Sequence, residues 1–223
     1  MLGSVQIVDT VKINDRIGAT MRTLVIDGHP NPDSLTAALA ARYAAASDDA
    51  RLLAVRDLDF DLVLHRGYRG DQPIEPDVAD ALRAIRDAEH VVVVTPVWWG
   101  SVPALLKGFL DRVLVSGEAF RYTERGMPVG LLAGRTGRLV VTSDSPRWYL
   151  PLVGDTTVRQ LRTTTLRFCG IRPVRLTRAT VVRASTPERR ERWLERMERD
   201  ARRDGAATGG RRPATETVGA GAR

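Results

Sequence analysis

Short apolar runs alternate with amphipathic segments along most of the chain. The run HVVVVTP at 90–96 contains four consecutive valines, which is typical of a strand buried on both faces in a parallel sheet. Between such runs apolar residues recur at helical spacing, as Val78, Leu82 and Ile85 do. The pattern predicts strands at 22–27, 51–56, 90–96, 138–143 and 173–184, and helices at 34–47, 76–88, 102–115, 156–169 and from 186 onward. Five strands separated by helices indicate an α/β fold with a five-stranded parallel sheet and helices on both faces.

Three segments fall outside this alternation. Residues 1–20 match no element and are either a small arm or untranslated, with Met21 as the favoured start. Residues 120–123 and the Gly- and Pro-rich stretch after them are predicted to be an irregular excursion. The segment 205–223 is rich in Gly, Ala, Thr and Arg and is predicted to be a disordered tail, because it offers little apolar surface to bury. One domain at 21–204 remains.

The formal charge of +7 does not indicate a nucleic-acid protein. Nearly all of the positive charge is arginine dispersed along the chain, and in 188–203 it alternates with Glu and Asp as on a solvated helix face. No basic stripe with interleaved aromatic residues is visible.

Cysteine use and hydropathy exclude further classes of protein. Cys169 is the single cysteine, which excludes a disulfide framework and a thiolate metal cluster, and we expect no metal site. The longest uncharged apolar run, 91–106, is interrupted by Pro and Gly and is too short to span a bilayer. The first residues lack the basic-then-apolar pattern of a secretory signal, so a cytoplasmic location is expected.

The unusual residues follow strands one, three and four, where an open parallel sheet binds its ligands. After strand one, the loop GHPNPDSLT at 28–36 leads into a helix. Ser34 can cap that helix while its hydroxyl and the first backbone N–H groups face an anion, and His29 adds a donor. The alternative is a capped turn without a ligand. The loop matches neither a dinucleotide-binding glycine motif nor a phosphate-binding P-loop.

Aromatic residues dominate the other two loops. Trp98 and Trp99 offer flat faces to a planar ring, and Gly100 lets a backbone N–H approach closely. The alternative is that both tryptophans are core or dimer-contact residues. The loop 142–149 is rich in hydroxyl groups and ends in Trp148 and Tyr149, which taken alone is a weak signal.

The stretch 96–114, PVWWGSVPALLKGFLDRVL, followed by GEAFRY at 117–122, strongly resembles the signature of the NAD(P)H dehydrogenase (quinone) family, also called flavodoxin-2 proteins. The family pattern is roughly Pro-x-x-Trp, then Pro-Ala-x-Leu-Lys-Gly, Asp/Glu-Arg-Val and Ala-Phe-x-Tyr. The resemblance extends from about residue 22 to residue 203 and implies a flavodoxin-like fold.

The resemblance also implies a flavin, FMN or FAD, held non-covalently at the carboxyl edge of the sheet. By similarity, the flavin contacts would be His29, Ser34, Leu35 and Thr36 at the phosphate, Pro96, Val97, Trp98, Trp99 and Gly100 along the ring, and Thr142, Ser143 and Asp144 over the pyrimidine edge. Tyr149 would face the substrate pocket as the catalytic residue. Family members are usually homodimers with each active site at the subunit interface, so a homodimer is expected.

Two departures from the family pattern concern the loop after strand four. Mammalian members carry Thr-Thr-Gly-Gly where this chain has Thr-Ser-Asp-Ser at 142–145, and a histidine beyond the tyrosine where this chain has Gly154 and Asp155. The tyrosine–histidine proton relay is therefore in doubt here. We interpret Asp111 and Arg112 as structural residues in surface pairs, and His65 as a surface residue.

The resulting prediction is a flavin-dependent oxidoreductase in which NAD(P)H donates hydride and a quinone-like small molecule accepts two electrons, with ping-pong kinetics. Two alternatives stay open: a flavodoxin-like electron carrier without a substrate pocket, and a regulatory flavoprotein subunit of an ion-efflux system. The tryptophan loop and the basic charge argue against the carrier, since such carriers tend to be acidic.

Overall fold

The computed structural model describes residues 22–69 and 72–208. The predicted arm at 1–20 and the tail beyond residue 208 lie outside this range. The strands are β1 Thr23–Asp27, β2 Ala50–Ala54, β3 His90–Pro96, β4 Phe120–Tyr122, β5 Pro128–Gly130, β6 Thr136–Ser143 and β7 Val174–Thr180. The helices are α1 Leu35–Ala45, α2 Pro76–Asp87, α3 Ala104–Val113, α4 Thr156–Val158 and α5 Pro187–Thr208, and α4 continues as a π-helix over Arg159–Leu166.

The main sheet has five parallel strands in the order β2-β1-β3-β6-β7. This is the flavodoxin-like order, in which the chain changes direction across the sheet between β1 and β3. The predicted fold class is therefore confirmed. The register pairs Asp27 with Val94 and Pro96 with Thr142, so the loops after β1, β3 and β6 leave the sheet side by side.

The valine run of β3 explains how both faces of the sheet are covered. Val91 and Val93 belong to the core formed with α2 and α3, whereas Val92 and Val94 belong to the core formed with α1 and α5. Successive side chains of a strand point to opposite faces, so a strand between two helical layers is apolar at every position.

The excursion after α3 is not irregular. β4 and β5 form an antiparallel hairpin that packs on the body of the domain through Phe120, whose ring lies 5.1 Å from that of Phe168. The main chain also approaches closely at Gly130, where a Cβ atom would lie 2.3 Å from the carbonyl carbon of Cys169. The prediction failed because these anchors are distant in sequence.

The fourth helix also differs from the prediction, since only its first three residues are α-helical. Leu161 and Leu166 are both buried and lie five residues apart. A π-helix repeats its hydrogen bonds at i+5 and brings that spacing to one side, which an α-helix does less well.

The last helix extends four residues into the segment predicted to be a tail. Asp204, near its end, is buried and accepts hydrogen bonds from Tyr43 Oη at 2.7 Å and from Arg138 Nε at 2.5 Å. Because this carboxylate is tied to α1 and β6, the helix stays ordered past the predicted boundary. The cluster lies toward the amino ends of the strands, opposite to the loops that carry the candidate site.

Arg112 does not form the surface pair that was predicted. Its side chain is buried, and its Nη2 atom donates to the carbonyl of Pro73 at 2.8 Å and to the carboxylate of Glu75. The guanidinium therefore ties the loop before α2 to α3. Asp111 does lie at the surface, where it pairs with Lys107, and His65 is exposed beside Asp61. Among the described residues, no helix is long and apolar enough to cross a membrane.

Candidate functional site

The loop after β1 ends in a helix N-terminus with free donors. Ser34 is the N-cap of α1, and its Oγ atom accepts a hydrogen bond from the amide of Ala37 at 3.1 Å. The amides of Leu35 and Thr36 have no acceptor within the described part of the chain. Because these N–H groups lie at the positive end of the α1 dipole, they form a donor set suited to an anion.

A buried ion pair lies beneath this loop. The Asp27 side chain is 1% exposed and accepts from Arg56 Nη1 at 2.5 Å and from the amide of His29 at 3.1 Å. The same Nη1 atom donates to the carbonyl oxygen of His29 at 3.2 Å. Both main-chain polar groups of His29 are therefore held by one ion pair.

The ring of His29 is oriented by the fold. Its Nδ1 atom accepts from the amide of Asn31 at 3.0 Å, so the proton of the neutral ring lies on Nε2. Burial lowers the pKa of His29 below its ordinary value, and this effect exceeds the opposing effect of Asp27. The imidazole meets the Trp98 ring edge to face, with centroids 5.6 Å apart and an interplanar angle of 80°. This contact joins the loop after β1 to the loop after β3.

The loop after β3 is a tight turn with two left-handed residues. The main chains of Trp98 and Ser101 exchange hydrogen bonds of 2.9 Å in both directions, while Trp99 has φ +52° and Gly100 has φ +72°. For a residue with a Cβ atom, this conformation costs about 1–2 kcal/mol. The turn leaves Trp99 fully exposed and Trp98 43% exposed. The amides of Trp99 and Gly100 have no acceptor among the described residues.

Two side chains from the fourth helical segment hold this turn in place. Thr156 donates its hydroxyl proton to the carbonyl of Gly100, and Ser101 Oγ donates to Gln160 Oε1 at 2.9 Å. Strained backbone of this kind persists only where the surroundings maintain it, and it concentrates at functional sites.

The loop after β6 meets the first loop through hydroxyl groups. Thr142 Oγ1 lies 2.9 Å from Thr36 Oγ1, and both side chains are buried. Ser143 is buried as well, whereas Asp144 accepts from the amide of Arg183 at 2.7 Å and so faces the segment after β7. The two threonines thus join the loops after β1 and β6, and the Asp144 carboxylate is occupied by a main-chain N–H group.

Tyr149 is only partly integrated into the site. It is 41% exposed, and its ring contacts Trp148 with centroids 5.9 Å apart. Within residues 22–69 and 72–208 neither Trp98 nor Trp99 makes a ring contact with it, and its hydroxyl has no hydrogen-bond partner. Asp155, one of the two residues found where the resemblance implies a histidine, pairs with Arg178 on β7.

Seven of the predicted site residues fall into three groups, according to what each offers to a ligand. Amide and hydroxyl donors are contributed at the α1 terminus by Ser34, Leu35 and Thr36, although the Leu35 side chain itself packs into the core. Exposed aromatic surface is contributed by Trp98 and Trp99 at the end of β3. Pro96 is buried as the last residue of β3, and the Val97 amide donates to the Thr142 carbonyl at 2.8 Å, so neither residue offers a free backbone N–H.

Sequence reasoning missed four residues: Asp27, Arg56, Thr156 and Gln160. An acidic residue at the end of an otherwise apolar strand was a signal for Asp27. The other three carry no local signal, because their contacts depend on the fold. No group of three or more His, Cys, Asp or Glu side chains suited to a metal ion occurs among the described residues.

Comparison with known proteins gives one matching family, described as having a flavodoxin-like fold, whose sequence profile covers residues 21–203. The chain is similar to the FMN-dependent NADH:quinone oxidoreductase of Stenotrophomonas maltophilia (strain K279a), with 34% identity over 161 residues, 70% of this chain and 80% of the relative. It is also 34% identical over 113 residues to the human ribosyldihydronicotinamide dehydrogenase [quinone], where it spans only about half of that relative, at 48%.

Solved structures resemble the chain over most of its length. The crystal structure of Smu.1420 from Streptococcus mutans UA159 has a TM-score of 0.72 and 26% identity, covering 82% of this chain and 100% of that one. The FMN-dependent NADH-azoreductase of Bacillus anthracis str. Ames Ancestor, solved in complex with FMN, has a TM-score of 0.64 and 22% identity, covering 82% and 99% of the two chains. The second likeness concerns the fold alone.

Proposed function

This chain belongs to the flavodoxin-2 family, and from that membership we propose that it is an FMN-dependent NAD(P)H:quinone oxidoreductase. The observation that carries the proposal is the meeting of two donor sets with exposed aromatic surface at one edge of the sheet. The free amides of Leu35 and Thr36 lie at the end of β1, and those of Trp99 and Gly100 at the end of β3, beside two exposed indoles.

These residues fit FMN. The α1 terminus and Ser34 would hold the phosphate, and the turn after β3 would hold the isoalloxazine through amide donors and flat side chains. Gly100 suits this role, because its positive φ exposes its N–H and an added Cβ would lie 3.0 Å from Thr156 Oγ1. When bound, FMN supplies the chemistry by accepting a hydride from NAD(P)H and delivering two electrons to an acceptor.

The side chains of the protein would bind the flavin, orient it and shield it from water. The His29 imidazole, with its proton on Nε2, is a neutral donor at the phosphate side and a packing partner of Trp98. Trp98, Trp99 and Tyr149 offer flat, exposed surface for a nicotinamide and for a quinone. Both substrates are flat and need the same face, so they bind in turn and the kinetics are ping-pong.

We propose FMN rather than FAD because the relative from Stenotrophomonas maltophilia is named an FMN-dependent enzyme. The cytoplasmic location stays a prediction.

A homodimer is part of the same proposal. Large apolar side chains that are mostly or fully exposed are those of Trp99, Trp148 and Leu152. The carbonyl of Gly100, next to Trp99, accepts a hydrogen bond from Thr156, four residues after Leu152. Large exposed apolar side chains on neighbouring segments are typical of an interface or a ligand site. A second copy of the chain that covered part of this apolar surface would shield the site from solvent.

The proposal is tested by purifying the full chain, denaturing it and identifying the released flavin by chromatography and mass. We expect FMN, together with NADH-dependent reduction of a simple benzoquinone. A protein that neither retains FMN nor binds added FMN, and that does not oxidise NADH, would overturn the proposal. An electron carrier would bind FMN but oxidise free NADH negligibly.

A further inference from the structure

The phosphate loop contains no cation of its own. Residues 27–36 include two aspartates, Asp27 and Asp33, and no lysine or arginine. His29 adds no charge at neutral pH, because burial lowers the pKa of His29 from 6.5. A loop that binds a phosphate dianion therefore carries net negative charge, which the partial charge at the α1 terminus offsets only in part.

Arg56 supplies the missing charge from a different element. It follows β2 directly, and β2 lies next to β1, so the carboxyl ends of these strands place Arg56 beside the loop. Its Nη1 atom is held by Asp27 at 2.5 Å and by the His29 carbonyl at 3.2 Å. Its Nη2 atom has no acceptor among the described residues, and the side chain is 17% exposed.

We propose that Arg56 is a cofactor-phosphate residue that favours a terminal phosphate, as in FMN, over the phosphodiester of FAD. Nη1 fixes the guanidinium against the fold, which leaves Nη2 and the charge available to the anion. Arginine is suited to this role because its planar donors bind phosphate oxygens in a fixed geometry. The terminal phosphate of FMN is close to a dianion above about pH 7, whereas the same phosphorus in FAD carries one charge, so the attraction differs between them.

Asp27 has a defined part in this arrangement. Its carboxylate holds Arg56 in one conformation, and it also places a negative charge under the loop. Removal of the carboxylate alone leaves Arg56 with only the exposed Asp57, whose Oδ1 atom lies 3.8 Å from Nε, and so frees most of its charge for the ligand. Removal of Arg56 alone leaves Asp27 unpaired beneath the phosphate, so the two substitutions have effects of opposite sign on phosphate binding.

The inference rests on the proposed function and is tested by flavin titration of the full chain freed of bound flavin. FMN, FAD and riboflavin are titrated at pH 7.5 and low salt, with flavin fluorescence as the readout. Arg56→Gln should raise the FMN dissociation constant about tenfold or more, as expected for loss of one charge-assisted hydrogen bond. Riboflavin has no phosphate, and its dissociation constant should change less than about threefold. The FAD dissociation constant should rise less than that of FMN, because the same phosphorus in FAD carries only one charge, so the FMN-to-FAD preference should shrink.

The matched control is Arg51→Gln, which removes the 2.8 Å pair between Arg51 on β2 and Asp80 on α2, away from the loop. It should leave all three dissociation constants unchanged. Arg56→Lys keeps the charge but not the planar donors, so its FMN dissociation constant should lie between those of the parent protein and Arg56→Gln. Asp27→Asn should bind FMN as tightly as the parent protein or more tightly. Circular dichroism on each variant reports folding independently.

Two results would overturn the inference. Equal losses of FMN and riboflavin in Arg56→Gln, matched by the same loss in Asp27→Asn, would show that the pair only holds the loop in shape. Recovery of the parent FMN affinity in the double variant Asp27→Asn/Arg56→Gln would show that Arg56 merely neutralises Asp27. Failure of the unaltered protein to bind FMN would instead refute the proposed function.

Discussion

The hydroxyl oxygens of Thr36 and Thr142 lie 2.9 Å apart across 106 residues of sequence, and both side chains are buried. Thr36 lies in the first turn of α1 and Thr142 is the next-to-last residue of β6, so this bond joins the end of the loop after β1 to the start of the loop after β6. Because both hydroxyl groups are buried, each depends on the other for a hydrogen bond.

Thr142→Val should destabilise the protein by about 1–3 kcal/mol, because it leaves the Thr36 hydroxyl buried without a partner. The double variant Thr36→Val/Thr142→Val should lose less than the sum of the two single variants, since both polar groups are then gone. Urea unfolding of all four proteins measures the coupling free energy. Strict additivity would show that the two hydroxyls do not depend on each other.

Ser34→Ala should weaken FMN binding about tenfold, because the hydroxyl caps α1 and contacts the phosphate in the proposed site. The lost cap should also lower stability by about 1 kcal/mol. Thr186→Ala is the control: Thr186 Oγ1 accepts from the amide of Arg189 at 3.3 Å at the start of α5, so it removes a similar cap away from the flavin loops. Flavin titration and thermal unfolding separate the two effects. If both variants bind FMN like the parent protein, Ser34 is a cap only.

Trp99 combines a left-handed backbone conformation with a proposed role in substrate binding. Steady-state kinetics with NADH and a benzoquinone should give parallel double-reciprocal lines. Trp99→Ala should lower kcat/KM for both substrates about two- to tenfold, the kinetic equivalent of losing a stacking contact of about 0.5–1.5 kcal/mol. Intersecting lines would refute the shared face, and a loss confined to one substrate would assign Trp99 to that substrate alone.

Replacing Trp99 by glycine separates the ring from the backbone. Trp99→Gly should be as slow as Trp99→Ala but more stable by about 1 kcal/mol, because glycine adopts φ +52° without steric cost. For a domain of this size, the difference corresponds to about 2–4 °C in Tm. Equal Tm values for the two variants would show that the turn relaxes when the indole is removed.

The buried carboxylate of Asp204 should govern the acid stability of the fold. Burial would raise the pKa of Asp204, but hydrogen bonds from His90, Arg138 and Tyr43 outweigh burial and hold it far below its ordinary value. With a lowered folded pKa, the stabilisation is complete above the unfolded pKa of about 3.9 and is lost as the pH falls toward the folded pKa.

Asp204→Asn should therefore cost about 3–5 kcal/mol at pH 7, because it leaves Arg138 in a buried site without its main counter-charge. Its stability should change less than that of the parent protein between pH 4 and about pH 2. Asp80→Asn removes an exposed carboxylate paired with Arg51 and Arg83 and should follow the parent curve closely. Urea midpoints at several pH values make the comparison, and parallel curves for Asp204→Asn and the parent protein would contradict the prediction.

The sequence by itself determined the layered architecture and the loops that carry the site. Apolar periodicity is a local property that reports burial, so it located β3 at His90–Pro96 with both ends correct and predicted each strand of the main sheet. Ser34 was identified as a helix cap for the same reason, because capping involves residues only three positions apart.

Only the tertiary structure decided which of these pieces meet. Three contacts of the candidate site depend on sheet order and register. They are the hydrogen bonds between Thr36 and Thr142, between Arg56 and Asp27, and from Thr156 to the carbonyl of Gly100. The β4–β5 hairpin and the π-helical segment depend on packing against distant elements. Such contacts leave no periodic trace in the chain, because their energy comes from groups that become neighbours only after the strands have paired.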